Sequence, residues 1–150
     1  MSPTINLFIT PSDYVKMLKE FDKYFDPDAP ITQAVTDKRY PVGDIYGCKI
    51  YFMHYSSCQE AEEKWNRRKN RIDFSNIVFM YCENEGCERE DILNLVSLEN
   101  KNKLCFTYNP YDIEGAIFSK EVFEAQGHPW KPEIVMSMID WKKYLNELNK

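Results

Sequence analysis

The residues best suited to chemistry lie in one stretch: His54-Tyr55-Ser56-Ser57, then Glu60, Lys64, Trp65, Arg67, Arg68 and Arg71. An imidazole titrates near neutral pH, so His54 is the candidate general acid or base. Ser56 and Ser57 are hydroxyl donors for a phosphate or sugar oxygen. Glu60, Arg68 and Arg71 recur at helical spacing, and with Lys69 the two arginines form a cationic stripe suited to a phosphate-bearing ligand. Each has a plainer reading. A lone strand-end histidine is more often a hydrogen-bonded structural residue. Ser57 with Glu60 fits a helix capping box. The pairs Glu60–Lys64 and Glu63–Arg67 sit four apart, as on a solvated, salt-bridged helix face. Trp65 reads as a core anchor.

A second candidate is Tyr108-Asn109, which follows an apolar run and precedes Pro110. If that run is a strand, both residues lie in a loop at its carboxyl end, where ligands gather in open α/β sheets. The simpler account is an Asn-Pro turn. Cys87 could be a nucleophile, but acidic neighbours Glu85, Glu88 and Glu90 oppose thiolate formation. Asp26-Pro27-Asp28 resembles the metal-binding Asp-x-Asp of many glycosyltransferases, yet it falls in a turn after a helix. No Walker loop, Gly-x-Gly-x-x-Gly, Gly-x-Ser-x-Gly or His-Glu-x-x-His occurs. The sequence assigns no metal ligands and leaves any cofactor unknown.

These residues need elements to hold them. Ile5–Ile9 reads as a strand, and Thr10-Pro11-Ser12-Asp13 as a capped helix start, with Asp13 bonding back to the cap. The helix extends from about Pro11 to Phe25, with Val15, Leu18, Phe21 and Phe25 on one face. Residues 26–30 break it. Ile31–Val35 is a strand, 36–43 a polar turn, and Asp44–Tyr55 a strand pair or one long strand with His54 near its end. Helix Ser57–Arg71, strand Asn76–Cys82, acidic loop Glu83–Glu88 and helix Arg89–Leu98 follow. Lys103–Thr107 and Ile113–Phe118 are strands, His128–Pro132 is irregular, and Ile139–Leu148 is an amphipathic helix. Strands alternating with helices predict an α/β fold, with a mostly parallel or mixed sheet covered by helices. With 150 residues, no repeat and no linker, the chain is expected to form a single domain.

The net charge of −5 argues against nucleic acid as a partner. Five cysteines at irregular spacing argue against a disulfide framework and for free thiols in a reducing cytoplasm. No signal peptide or apolar run of transmembrane length is visible.

Several strings resemble a known family: Ser2-Pro3-Thr4-Ile5-Asn6-Leu7-Phe8-Ile9, Pro41-Val42-Gly43, His54-Tyr55-Ser56, Glu60-Ala61, Lys64-Trp65, Arg67-Arg68, Arg71-Ile72, Asn76-Ile77 and Gly86-Cys87. In this order they resemble a bacterial family of unknown function found among capsule and exopolysaccharide biosynthesis genes. The resemblance runs from Ser2 to about Tyr111 and implies a three-layer α/β/α domain. Members of that family carry an Asn-Asn-Cys segment ahead of the Ser-Pro-Thr stretch, so the chain is expected to be a shortened version. The resemblance implies a role in polysaccharide synthesis. One expectation is a glycosyltransferase-like enzyme acting on a sugar phosphate or nucleotide sugar, with His54 as acid or base and Ser56, Arg68 and Arg71 holding the phosphate. The alternatives are a non-catalytic accessory protein that binds a biosynthetic partner, and an inactive remnant.

Overall fold

A computed structural model describes residues 4, 7–75, 77–84, 86–99, 102–119 and 137–148. The irregular stretch expected at His128–Pro132 and the start of the first strand lie outside them. Helices and strands alternate as expected, and the fold is α/β. Its chain contacts divide it into two units, residues 1–77 and 78–150.

The first unit carries a four-stranded antiparallel sheet in the order β1-β4-β3-β2. Its strands are β1 (Phe8–Ile9), β2 (Thr32–Gln33), β3 (Val42–Ile45) and β4 (Cys48–Tyr51). Tyr46 and Gly47, both at positive φ (50° and 83°), close the β3–β4 hairpin. Two successive positive-φ residues are the geometry a two-residue hairpin requires, so Asp44–Tyr55 is a strand pair. A hairpin also enforces antiparallel pairing, and parallel pairing is confined to the second unit. The long first helix divides at Glu20 into α1 (Pro11–Lys19) and α2 (Phe21–Phe25). On one straight rod, buried Val15, Met17, Leu18, Phe21, Tyr24 and Phe25 would span about half the circumference. The break narrows the arc that each piece must bury. Asp13 N–H donates to Thr10 Oγ1 as the capping pattern predicts, but its carboxylate accepts from Lys49 N–H of β4 instead of returning to the cap.

Helix α3 (Cys58–Lys69) buries Ala61, Trp65 and Lys69. Trp65 is the expected core anchor, its ring 5.5 Å from that of Phe25 and 6.4 Å from that of Phe52. Gly43 lets β3 pass tightly: a Cβ there would lie 2.5 Å from Ile31 Cδ1.

The second unit holds a parallel sheet in the order β5-β6-β7, from β5 (Phe79–Cys82), β6 (Lys103–Thr107) and β7 (Ala116–Phe118). Leu104 and Phe106 on one face of β6 pack with Val78, Met80, Cys82 and Ile117. Ile139, Trp141 and Tyr144 complete this cluster, which docks helix α5 (Trp141–Leu148). Helix α4 (Arg89–Val96) connects β5 to β6, packs on β6 and buries Ile92 and Leu95.

Candidate functional site

A cleft of about 590 Å³ opens in the first unit between residues 33–42 and the start of α3. Ser56, Ser57 and Cys58 line one side; Thr36, Lys38, Arg39 and Tyr40 line the other. Ser57 caps α3, its Oγ accepting from Glu60 N–H at 3.2 Å. The Glu60 carboxylate reaches back one residue further than a capping box prescribes. It accepts from Ser56 Oγ at 2.9 Å and Ser56 N–H at 3.3 Å. These bonds, the side-chain one first, hold the Glu60 carboxyl below the usual carboxylate range. The cap takes the third amide of the helix, and the N–H groups of Cys58 and Gln59 have no intrahelical acceptor. Helix-start residues, the Ser57 hydroxyl and the cationic residues Lys38 and Arg39 thus line one opening, a combination that suits an anion, while the Ser56 hydroxyl is committed to Glu60.

The structure separates residues that the sequence grouped. His54 is exposed in a turn beyond β4, which ends at Tyr51, and is not among the residues lining the cleft. Arg68 and Arg71 lie at the opposite end of α3. At 1.5 Å per residue they stand roughly 18 Å or more along the axis from Ser56, too far to share one phosphate with it. Basic residues there instead complement the helix's negative end. Lys69, assigned to the cationic stripe, is buried, and its Nζ donates to the carbonyls of Asp26 and Ala29 at 2.8 Å each. It fastens α3 to the turn holding Asp26-Pro27-Asp28. Burial lowers its pKa, with Asp26 and Asp28 opposing the shift.

The second unit contains a polar cluster at the carboxyl ends of β5 and β6. Glu83 directly follows β5 and is only 2% exposed. Its Oε2 accepts from the N–H groups of Tyr108 and Asn109 at 2.8 and 3.0 Å. Its Oε1 accepts from Asn109 Nδ2 at 2.6 Å and the Tyr111 hydroxyl at 2.9 Å. The expected Asn-Pro turn is therefore latched by a buried carboxylate. Burial, then the bond to Glu83, pushes the Tyr111 phenol up to about 12. Cys87 is pushed up to about 11 by burial, reinforced by Glu83 and Asp91 and opposed by a bond from Tyr81. Acidic surroundings disfavour the thiolate, as the sequence implies, although the carboxylates concerned are Glu83 and Asp91. All five cysteines are free thiols.

Residues 1–150 match the family described as a domain of unknown function, DUF1919. The chain belongs to this family. A protein of Haemophilus influenzae described as an uncharacterized protein is 34% identical over 155 residues, spanning 97% of this chain and 73% of that protein. Of the residues that the sequence nominates in this DUF1919 domain, Ser56 and Ser57 line the cleft, Glu60 bonds to Ser56, and Tyr108 and Asn109 bond to Glu83; Lys38, Arg39 and Glu83 carry no nomination from the sequence. Lys38 and Arg39 sat in a stretch read only as a polar turn. The signal for Glu83 was a carboxylate immediately after a buried strand. Among the described residues no group of three or more His, Cys, Asp or Glu side chains is arranged to hold a metal ion. No helix among them is long and apolar enough to cross a membrane.

Proposed function

We propose that this chain binds a phosphate-bearing sugar, a sugar phosphate or a nucleotide sugar, in the cleft between residues 33–42 and the start of α3, and serves the assembly of a bacterial surface polysaccharide. The observation that carries the binding reading is the convergence of Ser57, Lys38 and Arg39 on one opening of about 590 Å³ at a helix N-terminus. The volume lies within the range of small-ligand sites. The polysaccharide setting rests on the sequence resemblance. Lys38 and Arg39 take the phosphate-gripping role first given to Arg68 and Arg71. In the glycosyltransferase-like form of this reading, His54, two residues ahead of Ser56, moves a proton on the part of the ligand that extends out of the cleft.

A second reading, a non-catalytic accessory protein that binds its ligand and a biosynthetic partner, draws support from the absence of His54 from the cleft lining. Thermal melts with sugar phosphates and nucleotide sugars test the binding claim. A ligand at 100 times its dissociation constant adds about 2.7 kcal/mol of stability. A shift that survives His54→Ala while polysaccharide output falls fits the catalytic form. Unchanged output in His54→Ala fits the accessory form, and no shift with any of these ligands contradicts both.

A further inference from the structure

A recess of about 30 Å³ adjoins the phosphate cleft in the first unit. The two share Gln33, Pro41, Val42 and Cys58 as lining residues. Beyond that common wall the recess is bounded by Ile31, Gly43, Phe52 and Ala61, with Thr32 and Glu62 at its edge. A water-sized sphere fills about 10 to 15 Å³ of such space, so the recess takes a group of about two or three heavy atoms and excludes a sugar ring.

Its walls are apolar, and their backbone groups are already paired. Val42 O accepts from Ala34 N–H at 2.8 Å, and Pro41 O accepts from Phe52 N–H at 2.9 Å. Gly43 pairs with Gln33 on one side and Ile50 on the other, Ala61 N–H donates to Ser57 O, and Thr32 Oγ1 donates to Asp44 O. A hydroxyl pushed into this space would trade its water for no partner, whereas a methyl-tipped group loses nothing. Polar groups return at the edge, where Gln33 and Glu62 are both exposed. A carboxamide can donate to a ligand carbonyl, and a carboxylate can accept from a ligand N–H.

An acetamido group has this makeup: a small apolar tip behind one N–H and one carbonyl. In a 2-acetamido sugar 1-phosphate it stands on the ring carbon next to the one that carries the phosphate, as two adjoining sites require. The methyl of a 6-deoxy sugar lies across the ring and brings no amide. We infer that the recess reads the N-acetyl group of an N-acetylamino sugar phosphate whose phosphate sits in the cleft. The inference rests on the phosphate-binding reading of that cleft and narrows its substrate class.

The test is calorimetric titration of N-acetylglucosamine 1-phosphate and of glucose 1-phosphate into the wild-type chain, Ala61→Val and Glu62→Ala. Wild type should bind the acetylated sugar about tenfold or more tighter, the discrimination that one small apolar group provides in a fitted pocket. Ala61→Val fills the recess and should erase that preference while leaving the affinity for glucose 1-phosphate unchanged. Glu62→Ala, an exposed change that spares the core, should reduce the preference and serves if the Val variant does not fold. Equal binding of the two sugars by wild type overturns the recess assignment and leaves the phosphate cleft standing. A preference that survives intact in the folded Ala61→Val variant, or in Glu62→Ala where that one alone folds, overturns it as well. Binding of neither sugar overturns the cleft and the recess together.

Discussion

Replacing Lys69 by Met removes a buried cation from a position where the sequence suggests a surface ligand contact. Its Nζ supplies two bonds of 2.8 Å, to the carbonyls of Asp26 and Ala29. Asp26 is exposed, so water can reach its carbonyl, whereas Ala29 is 6% exposed and its carbonyl is left without a donor. An orphaned buried acceptor costs about 1 to 3 kcal/mol. Relief of the ammonium's own desolvation returns part of that, and Met fills nearly the same volume, which limits any cavity term. The net expectation is a loss of about 2 kcal/mol for Lys69→Met and about 4 for Lys69→Ala, where a cavity is added. The three tryptophans are Trp65, Trp130 and Trp141. A Trp130→Phe, Trp141→Phe background leaves Trp65, one turn before Lys69, as the reporter of urea unfolding. The midpoint should fall with little change in slope. The pH dependence has a definite sign. Burial sets the folded ammonium below its ordinary 10.5, so over the window beneath that value the unfolded chain holds more protons. This group therefore makes wild type more stable as pH rises toward 10.5, and the deficit of Lys69→Met widens. A midpoint that is unchanged or raised, or a deficit that narrows with pH, refutes the reasoning.

Three further outcomes are expected. Ser57→Ala removes the cap from Glu60 N–H and should cost about 1 kcal/mol, read from the same urea transition. Glu83→Ala strips the acceptor from four donors of the 108–111 loop and should destabilise the second unit by about 3 kcal/mol or more, seen as a lower melting temperature by Trp141 fluorescence. Cys87 and Cys105 ionise near 9.0 when unfolded but at about 11 and about 12 when folded. Their contribution to stability is complete below pH 9 and is lost as pH rises through the folded values, so the second unit should weaken over that range, with the loss reduced in Cys87→Ala.

The elements were largely legible because each rests on a local signal. Thr10-Pro11 starts α1, Ser57 starts α3, and the apolar runs at 79–82 and 103–107 form the parallel strands. What was not legible depends on contacts far apart in sequence. The helical spacing of Arg68, Lys69 and Arg71 looks like one basic stripe. Only the packing of the 26–30 turn, more than thirty-five residues away, turns Lys69 into an internal fastener. Lys38 and Arg39 carry no periodicity, and they become cleft residues only because β2 and β3 hold that stretch near Ser56. Glu83 read as part of an acidic loop until the β5–β6 register set it beside Tyr108 and Asn109. His54 fell outside the strand because β4 ends at Tyr51, a boundary that alternating apolar residues through Tyr55 conceal.

The most direct test of the phosphate cleft is calorimetric titration of glucose 1-phosphate and a nucleoside diphosphate glucose into the wild-type chain, the Lys38→Ala/Arg39→Ala variant and the Arg68→Ala/Arg71→Ala variant. Binding by wild type, weakened at least about tenfold by the loss of Lys38 and Arg39 and little changed by the loss of Arg68 and Arg71, is the predicted result. No binding by wild type, or binding that depends on Arg68 and Arg71 and ignores Lys38 and Arg39, would contradict it.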